Sequence, residues 1–185
     1  MRRLEASRRY QVVAALALFA GGGFARAQSP AAATPCSAAQ YRQFDFWLGE
    51  WEVDAPGSPP SKSRISPIFG ACGIREEYSA NSGNFLGTSL STYDAARKIW
   101  RQAWVDNKGG TQVLEGGMRG GAMVLEGRKP RAQGGEQVSR LTWTANADGT
   151  VRQHWEVSTD DGKTWTTAFD GHYRHTATKG AIAKP

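Results

Sequence analysis

Residues 151–174 read VRQHWEVSTDDGKTWTTAFDGHYR, and this stretch decides the fold class. On both sides of a polar, Gly-containing centre, large apolar side chains recur at every second position, which is typical of strands with one buried face. The predicted inner face of the first strand holds Val151, Gln153, Trp155 and Val157. That of the second strand holds Trp165, Phe169 and Tyr173. The stretch therefore predicts a β-hairpin that is buried on one side.

The turn between these two strands has a recognisable form. Residues 158–165, STDDGKTW, fit the pattern S-x-D-x-G-x-T-W and resemble the Asp-box of sialidases and related propellers. In such a turn Ser and Asp side chains bond the backbone and Gly takes a positive φ. A propeller repeats its blades about every 40 to 50 residues. The single copy here favours a self-stabilised turn over kinship with glycosidases.

The period of two extends over most of the chain. Turns rich in Gly, Pro, Asn and Asp separate ten predicted strands: 49–54, 62–69, 72–78, 86–93, 98–106, 112–116, 122–127, 137–144, 150–158 and 164–174. Short strands joined by tight turns predict an all-β antiparallel meander. A meander must protect its edges, and its hairpin-length connections favour a closed, lipocalin-like barrel over a Greek-key sandwich. The Gly-rich segment 116–121 connects two strands, so we expect a hairpin turn there and not a phosphate cradle.

Composition limits the class of protein. The chain has 185 residues, seven Trp and a formal charge of +6, with a mean hydropathy of −0.52. Its length suits one domain. The hydropathy excludes a multi-span membrane protein, and the aromatic content excludes an ordinary disordered chain.

The first 27 residues have the three parts of a secretory signal peptide. Four Arg residues within positions 2–9 precede a short apolar run at 12–20, and Ala25-Arg26-Ala27 ends the segment. The run is shorter than the roughly 20 residues that span a bilayer. We expect cleavage after Ala27, a periplasmic or secreted product and no stable membrane insertion after cleavage. Because Ser7-Arg8-Arg9 also resembles a twin-arginine signal, the Sec and twin-arginine routes both stay open.

Removing this leader changes the charge argument. Five of the 23 Lys and Arg and one of the 17 Asp and Glu lie in it, leaving 18 and 16, a charge of +2. No basic stripe remains that would support binding of nucleic acid by counterion release.

Both cysteines, Cys36 and Cys72, follow the leader. Two Cys in an oxidising compartment favour one disulfide. A metal site is a poor alternative to the disulfide, because neither cysteine has a second Cys or a His at metal-ligand spacing. A catalytic thiol ranks third, because nothing nearby in sequence lowers the pKa of either thiol. We predict a Cys36–Cys72 bridge from the N-terminal segment to an early strand.

The remaining segments complete the expected organisation. Residues 28–40 are predicted to be a linker or N-terminal arm, 41–175 a single barrel domain and 176–185 a flexible tail. Residues 37–44 predict a short helix with Ser37 as its N-cap. The strand 98–106 is apolar on both faces, which predicts that its outer face is covered by that helix or by a second copy of the chain in a homodimer.

The opening of the barrel carries a resemblance. Residues 44–53 read FDFWLGEWEV, and a helical turn leading to Gly-x-Trp on the first strand resembles the lipocalin and calycin opening. With Leu86-Gly87-Thr88-Ser89, the 100–106 strand and Arg152-Gln153-His154-Trp155-Glu156, the pattern resembles an uncharacterised family of bacterial secreted proteins, over most of residues 40–175. That resemblance implies a lipocalin-like barrel and no particular activity.

A more distant similarity is to nitrobindin, a small haem-binding barrel with a His near its C-terminus. His172 and His175 are the positions that would correspond, and no local motif matches closely. Haem needs only one axial His, but the regular strand places His172 opposite the ring-bearing face. His172 and His175, three apart on a strand, face opposite ways and cannot chelate together. We expect neither haem nor a metal, and no other cofactor.

No catalytic residue is assigned from the sequence. Glu76 and Glu77 are adjacent on a predicted strand, so they face opposite ways and make no acid/base dyad. Ser89 and Ser91 lie on a strand without a nucleophile elbow. An enzyme of the lyase, isomerase or cyclase type remains an alternative, because such sites leave no spacing signature.

Rings beside isolated polar groups on the same strands predict a ligand site, since binding pockets combine apolar walls with few polar contacts. The predicted walls are Trp104, Trp155, Phe169 and Tyr173. The predicted polar contacts are Gln102, Arg140 and Gln153. We therefore expect a small apolar or aromatic ligand. In the alternative of a filled structural envelope protein, the amides bond one another or Arg140.

Overall fold

The computed structural model describes residues 34–80 and 83–176. The predicted signal peptide, residues 28–33 of the predicted arm and residues 177–185 of the predicted tail lie outside the described residues. No helix in the described part is long and apolar enough to cross a membrane.

Ten antiparallel strands close into one barrel, as predicted. They are β1 (Gly49–Asp54), β2 (Ser61–Ile68), β3 (Gly73–Ala80), β4 (Phe85–Asp94), β5 (Ile99–Asp106), β6 (Thr111–Arg119), β7 (Ala122–Pro130), β8 (Glu136–Ala145), β9 (Val151–Ser158) and β10 (Thr166–His175). Each strand pairs with its sequence neighbours, and β1 pairs with β10 to close the ring. Each predicted strand overlaps an observed one, and β6 differs most, since it continues to Arg119.

The β6–β7 connection shows why the connections stay short. Arg119 pairs with Ala122, so the loop is only Gly120 and Gly121, with φ values of 56° and 85°. Two successive positive φ angles match the twist of a two-residue hairpin, and Gly adopts them without strain. The Gly-rich segment is a hairpin turn, as expected.

Aromatic side chains plug one end of the barrel. Phe44 stacks on Trp47 at 5.1 Å between ring centroids and meets the Trp143 ring edge-on at 5.1 Å. Trp51 Nε1 donates to the Trp47 carbonyl oxygen at 2.9 Å. All four side chains are buried. The FDFWLGEWEV segment therefore closes the barrel end at which β1 begins.

The N-terminal helix differs from the prediction. The chain forms two short 3₁₀ turns, Ala39–Arg42 and Asp45–Trp47. Ala38 precedes the first turn and no side chain caps it, so Ser37 as N-cap is wrong. Phe44 and Trp47 pack into the barrel end. This packing holds the segment as 3₁₀ turns and not as the capped α-helix that we expected.

The predicted disulfide is present. Cys36 and Cys72 are bridged with a Cα–Cα distance of 5.0 Å. Cys72 lies directly before β3, and the Arg42 guanidinium donates to the neighbouring Ala71 carbonyl oxygen. The bridge ties the segment before the plug to the β2–β3 turn.

Candidate functional site

A cavity of about 400 Å³ lies inside the barrel. It reaches the β1–β2 connection at Ser58 and Pro59 and the β5–β6 connection at Gly110, the barrel end away from the plug. Six of the seven predicted ligand-site residues line it: Gln102, Trp104, Gln153, Trp155, Phe169 and Tyr173. The structure brings these six together and places Arg140 elsewhere.

Two rings of the cavity wall lie over glycines. A Cβ on Gly87 would come within 2.1 Å of the Trp104 ring, and one on Gly171 within 2.4 Å of the Phe169 ring. Trp104 lies on β5 and Phe169 on β10, which are on opposite sides of a ten-stranded ring. The barrel therefore has an aromatic wall on each side, each held close to the backbone by an adjacent glycine.

Trp104 is also fixed at its polar end. Its Nε1 donates to Asp106 Oδ2 at 3.1 Å, while Asp106 Oδ1 accepts from the Lys108 and Gly110 backbone N–H groups at 2.9 Å each. The Trp104 N–H has the largest effect and the two backbone N–H groups follow; together they hold the pKa of Asp106 below its ordinary value. The turn after β5 thus orients the indole at the mouth of the cavity.

The predicted polar contacts have partners that the sequence did not predict. Gln102 Nε2 donates to Ser91 Oγ at 3.1 Å, and the Tyr173 hydroxyl donates to Gln153 Oε1. The two amides bond neither one another nor Arg140. The hydrogen-bond pattern that we expected for a filled barrel is therefore wrong.

Arg140 and Trp165 lie on the outer face. Arg140 Nε donates to Glu126 Oε1 at 2.7 Å, and its guanidinium lies 4.0 Å from the centroid of the Trp165 ring. A β-bulge between Thr167 and Phe169 reverses the alternation of β10, so Trp165 does not share the inner face of Phe169 and Tyr173. Arg140 is therefore not a polar contact of the cavity, and the face predicted for Trp165 is wrong.

The Asp-box segment acts as a self-stabilised turn. Asp160 Oδ1 accepts from the backbone N–H groups of Lys163 and Thr164 at 3.1 and 2.9 Å. Asp160 Oδ2 accepts from Thr164 Oγ1 at 2.7 Å. The bond from the Thr164 hydroxyl has the largest effect, and together these bonds hold the pKa of Asp160 well below its ordinary value. The structural reading of this motif is confirmed.

Sequence reasoning missed the group with the most unusual environment, Glu76. Its side chain points into the barrel, only 4% of the residue is exposed, and it borders the cavity. Ser63 Oγ donates to Glu76 Oε1 and Ser89 Oγ to Glu76 Oε2, both at 3.0 Å. Burial outweighs these two bonds and raises the pKa of Glu76 to about 7.

The neighbours of Glu76 leave it without a compensating charge. In the part of the chain that the structure describes, no Lys, Arg or His forms an ion pair with Glu76. Burial has the largest effect on Tyr173 and raises its pKa well above the ordinary value, and the nearby charge of Glu76 raises this pKa further. Burial also raises the pKa of Tyr78. Both phenols therefore stay neutral at physiological pH.

Two polar groups of the cavity wall are short of partners. Among residues 34–80 and 83–176, Gln112 Nε2 and Trp155 Nε1 are buried and have no hydrogen-bond partner. Buried donors cost free energy unless they are bonded. Trp47 Nε1 and Trp143 Nε1 in the plug share this state, so it is not particular to the cavity wall.

The three histidines lie away from the cavity lining. His172 is exposed on β10, His154 Nε2 contacts Thr167 Oγ1 at 3.0 Å, and His175 stacks on Trp51 at 3.7 Å beside the plug. Within the described ranges, no three His, Cys, Asp or Glu residues are grouped to hold a metal ion.

The outer face of β4 to β6 carries an apolar strip. Leu90, Ala103 and Val113 lie side by side in register, and Leu90 and Val113 are 50% and 57% exposed. The 3₁₀ turns lie at the plugged end and leave this strip uncovered. Cover by the N-terminal helix, one of the two expected covers, is wrong; the homodimer stays a prediction.

In a comparison with known proteins, the chain matches no protein-family model and no curated protein.

One signal in the sequence pointed to Glu76. On β3, Ile74, Glu76 and Tyr78 share a face, so a carboxylate stands between two inward-pointing apolar residues. An ionisable residue at a core position of a period-two pattern is the feature to search for. The adjacency of Glu76 and Glu77 excludes a dyad between the two and carries no information about the burial of Glu76.

Proposed function

We propose that the protein is an exported, lipocalin-like binding barrel that takes a small apolar or aromatic molecule into its lumen. The observation that carries the proposal is the cavity of about 400 Å³ between aromatic walls on opposite sides of the barrel. A volume of this size is within the usual range for small-molecule sites, and rings with a few polar groups are their usual lining.

Export is supported by the disulfide and by the leader. Cys36 and Cys72 form a bridge, and such bridges persist in oxidising compartments. The signal-peptide pattern at residues 1–27 indicates the same location.

A second candidate function is acid–base catalysis by Glu76. The buried Glu76 carboxyl group borders the cavity and has a pKa of about 7, so it can both accept and donate a proton near neutral pH. An isomerase or lyase needs one such group. Recovery of a bound compound in unchanged form supports binding, whereas turnover that is lost in Glu76→Gln supports catalysis.

The test of binding compares two matched Trp substitutions. Trp155→Phe and Trp143→Phe each remove an indole N–H that has no partner in the described chain, but Trp155 lines the cavity and Trp143 packs in the plug. Native mass spectrometry of the protein from its own periplasm, with thermal shifts against apolar and aromatic compounds, identifies ligands. We expect Trp155→Phe to weaken binding roughly fivefold, because the smaller ring loses about 1 kcal/mol of apolar contact with the ligand.

Trp143→Phe should leave the affinity unchanged. Equal effects of the two substitutions contradict a site in the cavity. The absence of both a co-purifying mass and any shifting compound contradicts the proposed function as a whole.

A further inference from the structure

The polar side of the cavity is built around one acidic group. On neighbouring strands β2 to β5, the buried side chains that are polar are Ser61, Ser63, Glu76, Ser89, Ser91 and Gln102. Of these, Glu76 is the one ionisable group, and it borders the cavity.

The hydrogen bonding around Glu76 comes from neutral hydroxyl groups. Each carboxyl oxygen accepts one bond, from Ser63 or from Ser89. An ionised carboxylate has about four lone-pair sites, so these two bonds leave capacity for a further donor.

The charges that face the cavity are mainly acidic. Glu76 lies inside and Asp106 at the mouth, and Lys129 is the one cationic side chain on the described lining. Lys129 is exposed near the open end of β7 and makes no ion pair with Glu76. A cation that enters the cavity therefore meets an unpaired carboxylate.

The aromatic walls suit the same occupant. Tyr78, Phe85 and Trp104 form a ring cluster, with centroid distances between 6.2 and 6.4 Å. Ring faces attract cations as well as apolar groups, and they do so more strongly where water is excluded.

We infer that the lumen takes a small organic cation, an amine whose ammonium group bonds the Glu76 carboxylate while its apolar part lies between the aromatic walls. This inference rests on the proposed function and specifies the chemical class of the ligand. An ammonium group supplies a charged donor and replaces the solvation that burial removes from the carboxylate. The paired state is favourable because Glu76 already holds two serine hydroxyl bonds.

The test uses two compounds with the same carbon skeleton, 2-phenylethylamine and 2-phenylethanol. Isothermal titration calorimetry is run on the mature protein at pH 8, where an alkylamine is still protonated. We expect the amine to bind at least about tenfold more tightly than the alcohol, because a charge-assisted hydrogen bond exceeds a neutral one. Comparable affinities of the two compounds overturn the cation inference and leave the proposed function standing.

A pair of adjacent substitutions locates the effect. Glu76→Gln removes the inner charge and keeps the shape, and Glu77→Gln makes the same change on the outer face, where Glu77 pairs with Arg75 at 2.8 Å. We expect Glu76→Gln to lower the affinity for the amine to that for the alcohol and Glu77→Gln to change neither. Retention of amine selectivity in Glu76→Gln overturns the inference.

Proton release gives a test that needs no variant. The groups that face Glu76 are Ser63 on β2, Ser89 on β4, and the neutral phenols Tyr78 and Tyr173. At pH 6 most Glu76 carboxyl groups carry a proton, because the pKa is about 7, and ammonium binding must expel it. Binding heats in buffers of different ionisation enthalpy should show close to one proton released per amine and none per alcohol.

Amine binding without proton release, together with amine selectivity that survives in Glu76→Gln, overturns the contact with Glu76. If neither compound binds, the cation inference fails, and the proposed function is judged separately by native mass spectrometry and the thermal-shift panel.

Discussion

Glu76 and Ser89 face one another across the β3–β4 pair, with Ser89 Oγ 3.0 Å from Glu76 Oε2. The bond keeps a carboxyl group in the barrel wall where an apolar residue would fold more easily. Its partner hydroxyls offset only part of the loss of water, since burial raises the pKa of Glu76 to about 7. The protein thus retains a destabilising group at its cavity, which is the usual sign of a functional site.

The first prediction is a stability difference that depends on pH. The folded-state pKa of Glu76, about 7, exceeds its ordinary value of 4.5, so the folded protein holds this proton more tightly. Stability from this group is full below pH 4.5 and is lost as the pH rises to 7, by roughly 3 kcal/mol. Denaturant unfolding should show wild type losing about this much relative to Glu76→Gln. A difference that stays constant between pH 4.5 and 8 contradicts the burial of this group.

The second prediction concerns the glycine under Trp104. Gly87→Ala puts a Cβ within 2.1 Å of the indole, whereas a Cβ on Gly117 meets nothing within 4 Å. We expect Gly87→Ala to displace the ring, alter the near-ultraviolet circular dichroism and destabilise the fold by about 1–3 kcal/mol. Gly117→Ala is the control and should preserve the spectrum. Identical spectra for both variants would place Trp104 away from Gly87.

The third prediction is the contribution of the disulfide. The bridge closes a loop between residues 36 positions apart, and loops of that length contribute about 2–4 kcal/mol. Replacing both Cys36 and Cys72 by Ser should lower the free energy of unfolding by this amount, and reducing wild type should have the same effect. Unchanged stability after either treatment would show that the N-terminal segment needs no tether.

The fourth prediction separates two adjacent turn residues. Asp160→Asn loses the acceptor for Thr164 Oγ1, whereas Asp161 makes an exposed ion pair with Arg128. Asn also tolerates the φ of 61° at position 161. Asp160→Asn should lower the melting temperature and Asp161→Asn should leave it nearly unchanged. An equal fall in both would mean that surface charge, and not the turn's own bonds, stabilises this hairpin.

Much of the barrel follows from local sequence. Val151, Gln153 and Trp155 face inward as predicted, because one apolar face must be buried and the strand alternates strictly. The Cys36–Cys72 bridge followed from having two cysteines after a predicted export signal. Both results need only short-range pattern and compartment chemistry.

The misassigned positions depend on tertiary pairing. The β-bulge before Phe169 changes the face of Trp165, and no residue in the sequence predicts the bulge. Arg140 is the exception, because alternation with its inward-facing neighbour Leu141 already puts it on the outer face, where it bonds Glu126 on β7. The inward position of Glu76 follows from the alternation of β3, whereas its partners Ser63 and Ser89 follow from the pairing of β3 with β2 and β4.

A bromine atom can show directly whether a small molecule occupies the barrel between its aromatic walls. The measurement is the anomalous difference map of a crystal of the mature protein soaked at pH 8 with 2-(4-bromophenyl)ethylamine. We expect a bromine peak inside the barrel, in contact with Trp104, Trp155 or Phe169, and the amine nitrogen within hydrogen-bond distance of Glu76. A bromine peak confined to the outer surface, with the cavity filled by protein side chains, would contradict it.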